Sequence, residues 1–257
     1  MDLVCDLDGT VWLAGEPIAG VSAAIEQARR VGHRFLFATN NSSARVSEVE
    51  DQLLRAGIPA GGQVVTSSMA TATLIEPGER VFVLGGPGLR QELARRGAVL
   101  VEPGPDQRGR ELGVSAVIVG RDTGFDFEKL KQAGDAIRSG ARYLASNADP
   151  TFPTADGLEP GAGAIVAAVT TAAGVEPEVA GKPNAAMAAT IRSALAGDTS
   201  QAIVVGDVQA TDGLLADRLG VPFALVLSGA TKSIPEGPRR PALVAKSLTE
   251  LIENQFS

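Results

Sequence analysis

The 257-residue chain is 44% hydrophobic and 21% charged, ordinary values for a globular protein long enough to bury one large core or two modest ones. A net charge of −7 and only 4% aromatic residues argue against nucleic acid or an anionic membrane as partner, though a metal or a lysine could still reverse the sign locally for a small anionic substrate. The single cysteine, Cys5, excludes an intrachain disulfide and a thiolate metal cluster, and any triad or imidazole zinc site would have to be built on the single histidine, His33.

In chain order, residues 3–7 read as a buried strand and 21–31 as an amphipathic helix. Residues 34–38 form the next strand, and Ser42 or Ser43 is expected to cap a helix running to about residue 55. Residues 64–66 and 67–75 make another strand–helix pair. A second cycle opens at Arg80, with strands at 81–84, 116–119 and 142–145 and helices at 89–96, 127–138 and 163–173. Beyond Lys182 the first pattern returns: a helix at 185–195, a strand at 202–205, a helix at 211–219, a strand at 222–226, and a closing strand and helix over 243–252. Strands alternating with helices indicate a parallel sheet covered on both faces. The Gly/Pro-rich stretches 103–109 and 233–241 read as surface loops. No basic segment precedes an apolar stretch at the start, and no apolar run approaches the ~20 residues of a membrane span, so a soluble cytoplasmic protein is expected.

Four polar features fall at predicted carboxyl ends of strands or at the turns after them, the edge where open α/β sheets bind ligands. They are Asp6 with Asp8, Thr39-Asn40-Asn41, Gly181-Lys182-Pro183, and Gly206-Asp207 with Asp212. Asp6 and Asp8 occupy alternate positions and can share a face, where like charges call for a cation or a phosphoryl ligand. The alternative is an Asp-rich turn at a strand end. Asp207 follows an apolar run equivalent to the one before Asp6, and Asp6, Asp8 and Asp207 together suit a hard cation such as Mg²⁺. Asp212 either orients a metal-bound water or caps the next helix; the former, outside the ligand set, is the expectation. Thr39 and Asn40 can form an anion cradle, a helix cap, or both. Lys182 can neutralise a phosphoryl oxygen, although Gly-Lys-Pro also fits an ordinary loop. Together these groups are the parts of phosphoryl transfer through an acyl phosphate. Gly85-Gly86-Pro87-Gly88 lacks the spacing of a dinucleotide loop. Cys5 and His33 read as structural, and for Trp12 core packing and substrate contact are both open.

Asp6-Leu7-Asp8-Gly9-Thr10, Thr39-Asn40-Asn41, Lys182 and Gly206-Asp207 through Asp212 resemble, in order, the motifs of haloacid dehalogenase superfamily phosphatases, and the similarity runs nearly end to end. "LGGPGLRQEL", "SNADPTFPTADGLEPGAGA" and "GKPNAAM" are similar to the subgroup that contains bacterial nucleotide, phosphoglycolate, glycerol-3-phosphate and pyridoxal phosphatases. The resemblance implies an α/β protein: a Rossmann-like core with a parallel sheet flanked by helices (residues 1–79 and 180–257) and an inserted α/β cap (80–179) that closes over the site and selects the leaving group. It implies that Asp6 attacks phosphorus and that Asp8 protonates the leaving alcohol and then activates water. Thr39, Asn40 and Lys182 would hold the phosphoryl oxygens. Mg²⁺ would sit on Asp6, the Asp8 main-chain carbonyl and Asp207. Asn147 and Asp149, in the cap segment 147–160, would meet the leaving group, unless they only build a turn.

An aspartate at the second position of the pair also favours a phosphatase over the family's dehalogenases. Val208 and Gln209 depart from the family pattern, where an arginine commonly follows the Gly-Asp, which bears on how Lys182 and Asp212 are positioned. The function implied is a Mg²⁺-dependent phosphatase for a small phosphorylated metabolite, with a cap-mediated homodimer a reasonable assembly. A phosphomutase and a catalytically weak phosphometabolite-binding regulator are the competing functions, separable by product analysis and by metal-dependent turnover.

Overall fold

Asp2–Cys5, buried throughout, is the strand on which both ends of the chain assemble. A computed structural model describes residues 1–104, 106–236 and 240–257. In it six strands lie in the order Leu243–Ala245, Phe223–Val226, Ala202–Gly206, Asp2–Cys5, Arg34–Thr39 and Val64–Thr66. Every pairing is parallel. Alternation along the strands supplies two apolar faces. Leu3, Cys5, Phe37 and Val205 pack beneath the helices Val21–Arg30, Val46–Arg55 and Leu248–Gln255. Val4, Leu36, Val204 and Leu225 face Ala185–Ala194 and Leu214–Leu219. Fully buried side chains such as Leu3 and Phe37 each contribute roughly 1.5–3 kcal/mol of transfer free energy.

Between Val64–Thr66 and Ala202–Gly206 the chain forms a second parallel sheet, ordered Glu178–Val179, Arg142–Ala145, Ala116–Val119, Arg80–Leu84 and Val99–Val101. Phe127–Arg138 and Ala162–Ala173 cover one face, and Pro87–Arg95 the other. The carboxyl ends of its strands abut the loop after Arg34–Thr39. Ser42 and Ser146 share a hydroxyl hydrogen bond of 2.8 Å. Gly88 approaches the same loop so closely that a Cβ there would lie 1.9 Å from the Ala44 carbonyl oxygen. The Gly-Gly-Pro-Gly segment is thus a packing surface between the two sheets, at the start of a helix.

The structure departs from the sequence reading at the edges. Two short hairpins, Trp12–Leu13 with Glu16–Pro17 and Thr151–Thr154 with Gly157–Pro160, and the edge strands Val99–Val101 and Glu178–Val179 fall outside the strands read from the sequence. Neither Ser42 nor Ser43 caps the helix Val46–Arg55. The Glu48 carboxylate accepts the Arg45 N–H at 2.7 Å instead, Ser42 turns to Ser146, and the Ser43 N–H donates to Asn41 Oδ1. The helix expected at 211–219 divides into a π-helical turn, Gln209–Gly213, and the α-helix Leu214–Leu219. In the two predicted loops, residues 105 and 237–239 lie outside the described residues. Among the described residues no helix is long and apolar enough to cross a membrane.

Candidate active site

Parallel register sets Cys5 beside both Val205 and Phe37, so Asp6, Asp207 and Thr39 leave neighbouring strands at one edge. Lys182 enters from the loop before Ala185–Ala194. Its Nζ donates to Asp6 Oδ1 at 2.6 Å and to Asp212 Oδ1 at 2.7 Å. Asn40 holds this loop by its main chain: Oδ1 accepts the Lys182 N–H at 2.7 Å, and Nδ2 donates to the Lys182 carbonyl at 3.3 Å. Asp212 Oδ2 accepts the Val208 N–H at 3.2 Å, and Asp207 Oδ2 accepts the Ala230 N–H at 2.5 Å. The π-helical turn at Gln209–Gly213 carries Asp212 back toward Lys182. Gly9, in the left-handed region at φ +84°, and Gly229 close around Asp207. A Cβ on either would fall 2.4 or 2.0 Å from Asp207 Oδ2, so only glycine fits.

Asp6, Asp207 and Asp212 each offer a carboxylate oxygen within 4.8 Å of the others. They are 8%, 4% and 1% exposed, and the one lysine among them pairs with Asp6 and Asp212 but not with Asp207. Burial lifts Asp6 well above the carboxylate range, with Asp212 and Asp207 adding to the rise and Lys182 opposing it. Burial, more than the nearby Asp212, pushes Asp207 up to about 6 against the Ala230 N–H. Burial also works against the Lys182 charge, but Asp212 and Asp6 outweigh it and hold the ammonium protonated. An excess of buried carboxylate oxygen is the donor set of a hard divalent cation such as Mg²⁺. Asp212 lies closer to this cluster than its expected outer place suggested, whereas the Asp8 side chain stands outside it.

Asp8 Oδ1 accepts the Trp12 indole N–H at 3.0 Å. Burial raises the Asp8 pKa, against that hydrogen bond and the Lys182 charge. The buried Thr39 hydroxyl accepts the Asn41 N–H at 3.0 Å. The two residues expected to meet a leaving group reach the core's own loop. Asn147 Nδ2 donates to the Asn40 carbonyl at 2.8 Å, and Asp149 Oδ1 accepts Asn40 Nδ2 at 3.2 Å. Burial raises Asp149, opposed by the Asn40 hydrogen bond and the Lys182 charge.

A cavity of about 750 Å³ lies over these groups, with Asp6, Asp8, Thr39, Asp149, Lys182 and Asp207 in its lining. Its other walls include Leu13, Phe152 and Leu158 from the two hairpins, and Arg121. The Arg121 guanidinium lies 4.6 Å above the Phe152 ring and pairs with Glu159. Arg121 and Ala230 are not among the residues that the sequence marks, and Phe152 is marked only as part of the segment 147–160. For Arg121 a signal existed: it follows the strand Ala116–Val119 by two residues, the same strand-end position that drew attention to Asp6 and Asp207.

Residues 3–99 match the family model of haloacid dehalogenase-like hydrolases, and residues 179–251 match the HAD-hydrolase-like family. The chain is similar to the D-glycerol 3-phosphate phosphatase of Mycobacterium tuberculosis, with 39% identity over 97% of this chain and 70% of that protein. It is 34% identical to the 5'-nucleotidase YutF of Bacillus subtilis over 96% of this chain and 95% of the relative. A crystal structure of the glycerol phosphate phosphatase from Mycobacterium tuberculosis in complex with magnesium superposes with a TM-score of 0.87 at 37% identity, covering 98% of this chain and 77% of the other.

Proposed function

Because the chain belongs to the haloacid dehalogenase-like hydrolases, we propose that it hydrolyses small phosphomonoesters with Mg²⁺, through an aspartyl phosphate on Asp6. It is a phosphoric monoester hydrolase of that family. The observation that carries the mechanism is the Lys182 ammonium shared by Asp6 and Asp212 at one sheet edge, with Asp8 two residues from Asp6 and free of that pairing.

In this reading an Asp6 oxygen attacks phosphorus and the bond from phosphorus to the ester oxygen breaks. The Asp8 carboxyl donates its proton to the departing oxygen. The resulting carboxylate then takes a proton from water, which attacks phosphorus, releases phosphate and restores Asp6. Lys182 and Thr39 hold the phosphoryl oxygens, and Asn40 seats Lys182 through its main chain. Asp6, Asp207 and the Asp8 main-chain carbonyl hold Mg²⁺, with Asp212 beside them. When bound, the ion neutralises charge on the phosphoryl oxygens and on the crowded carboxylates. The buried excess of carboxylate at Asp6, Asp207 and Asp212 supports that fit, as does the magnesium complex of the Mycobacterium tuberculosis relative.

Residues 1–79 and 180–257 form the core domain in this account, and 80–179 the cap; their separate sheets support the division. Asn147 and Asp149 dock the cap on Asn40, and Asp149 also faces the leaving group from the cavity wall. The named relatives act on glycerol 3-phosphate and on nucleotides, which supports a small phosphorylated metabolite as substrate. Phosphate release from p-nitrophenyl phosphate should require Mg²⁺, stop with EDTA, and be absent in Asp6→Asn. Full activity in Asp6→Asn would remove Asp6 from the nucleophile's role.

A further inference from the structure

Trp12 is the only tryptophan in the chain, and the residue is 4% exposed. It belongs to the same buried cluster as Leu7 and Val11, and its main chain pairs with Pro17 in the hairpin that follows Asp8. The backbone between Asp8 and Trp12 folds back on itself. Leu7 O accepts the Val11 N–H at 2.8 Å and the Trp12 N–H at 3.2 Å, and the Gly9 N–H donates to Trp12 O at 2.7 Å. This closed turn, made possible by Gly9 at φ +84°, returns the indole to the carboxyl four residues before it. Among the described residues the Trp12 N–H, at 3.0 Å from Oδ1, is the one side-chain hydrogen bond of Asp8.

An indole N–H donates and never accepts. Paired with it, Asp8 Oδ1 serves best as the carbonyl acceptor, which favours Oδ2 as the oxygen that carries the moving proton. Packing fixes the ring, and the ring fixes the carboxyl. We propose that Trp12 is a positioning residue, which orients Asp8 for proton transfer to the leaving oxygen and makes esters of unactivated alcohols depend on it more strongly than esters of acidic phenols. The proposal rests on the assignment of Asp8 as the general acid. A nitrophenolate departs without help, whereas an alkoxide needs a well-aimed proton.

The test compares kcat/KM, which covers the steps through departure of the leaving group, for p-nitrophenyl phosphate, phenyl phosphate and glycerol 3-phosphate with Mg²⁺ present. In Trp12→Phe the values for phenyl phosphate and glycerol 3-phosphate should fall about tenfold further than the value for p-nitrophenyl phosphate, a part of the ~10²–10⁴-fold that a general acid supplies. A loss in equal proportion on all three esters means that Trp12 serves only the fold, and overturns the proposal. Asp8→Asn, measured on the same esters, separates the two ideas. If it shows no preference, the assignment of Asp8 as acid fails. If it penalises the poorer leaving groups and Trp12→Phe does not, only the role of Trp12 fails. Should Trp12→Phe not fold, the single indole N–H resonance of the wild type gives the answer. It should shift clearly in Asp8→Ala, and an unmoved resonance contradicts the hydrogen bond on which the proposal stands.

Discussion

Asp207→Asn should stabilise the metal-free protein at neutral pH and abolish its stabilisation by Mg²⁺. Burial, with help from Asp212, pushes Asp207 up to about 6 in the folded protein, although the Ala230 N–H and the Lys182 charge act against it. An aspartate in the unfolded chain titrates near 3.9, so ionisation of the folded group weakens stability by about 3 kcal/mol, at ~1.36 kcal/mol per pKa unit. The folded state binds the proton more tightly than the unfolded state. The stability tied to this group is therefore fully present below about pH 4 and is lost as the pH rises through about 6. Asparagine does not ionise, and it keeps an oxygen for the Ala230 N–H. Urea unfolding in EDTA should show wild type and variant nearly equal at about pH 4, with the variant ahead by about 3 kcal/mol at about pH 7. Saturating Mg²⁺ should close or reverse the gap, because only the wild type gains from binding. A variant less stable than wild type at neutral pH in EDTA, or a gap independent of pH, would refute the reasoning.

Three further substitutions probe the same site. Asp6→Asn should reduce turnover of p-nitrophenyl phosphate by on the order of 10⁴-fold or more, as deletion of a covalent nucleophile does elsewhere, with the circular dichroism spectrum unchanged. Lys182→Met leaves Asp6 and Asp212 buried without their shared cation, so thermal or urea unfolding should report a loss of about 3–5 kcal/mol at neutral pH, besides the loss of activity. Gly229→Ala places a Cβ 2.0 Å from Asp207 Oδ2, so it should raise the Mg²⁺ concentration needed for half-maximal activity by about tenfold or more, an effect titration of the metal would detect.

The core was legible in the sequence because its strands are continuous apolar runs and its helices carry clear amphipathic spacing. Asp6, Thr39 and Asp207 could be singled out for the same reason: each polar group stands where such a run stops, whereas Lys182 drew notice as the one cation of the set, in a Gly-Lys-Pro turn. The hairpins were not legible. Trp12–Leu13 with Glu16–Pro17 spans two residues per strand, and the exposed Gly157–Pro160 shows no alternation, so neither has a period to read. The capping error at Ser42 and Ser43 has a cause of the same kind. Both residues have cap chemistry, but Ser42 is drawn to Ser146, more than a hundred positions away, and local rules cannot see that partner. Asn147 and Asp149 are marked in the sequence only by the resemblance of segment 147–160 to a cap segment of the family, and their hydrogen bonds to Asn40 depend on where the second sheet docks. Arg121 acquires meaning only once Phe152 and Glu159 are folded over it.

The central claim is that Asp6 carries the phosphoryl group and Asp8 the protons, and one measurement addresses it directly. Asp8→Asn, mixed with p-nitrophenyl phosphate and Mg²⁺ and quenched in acid, should release a burst of nitrophenol matching the enzyme concentration. Peptide mass spectrometry should then place a phosphoryl adduct on Asp6. Steady turnover without an adduct, or an adduct on another residue, would contradict the account.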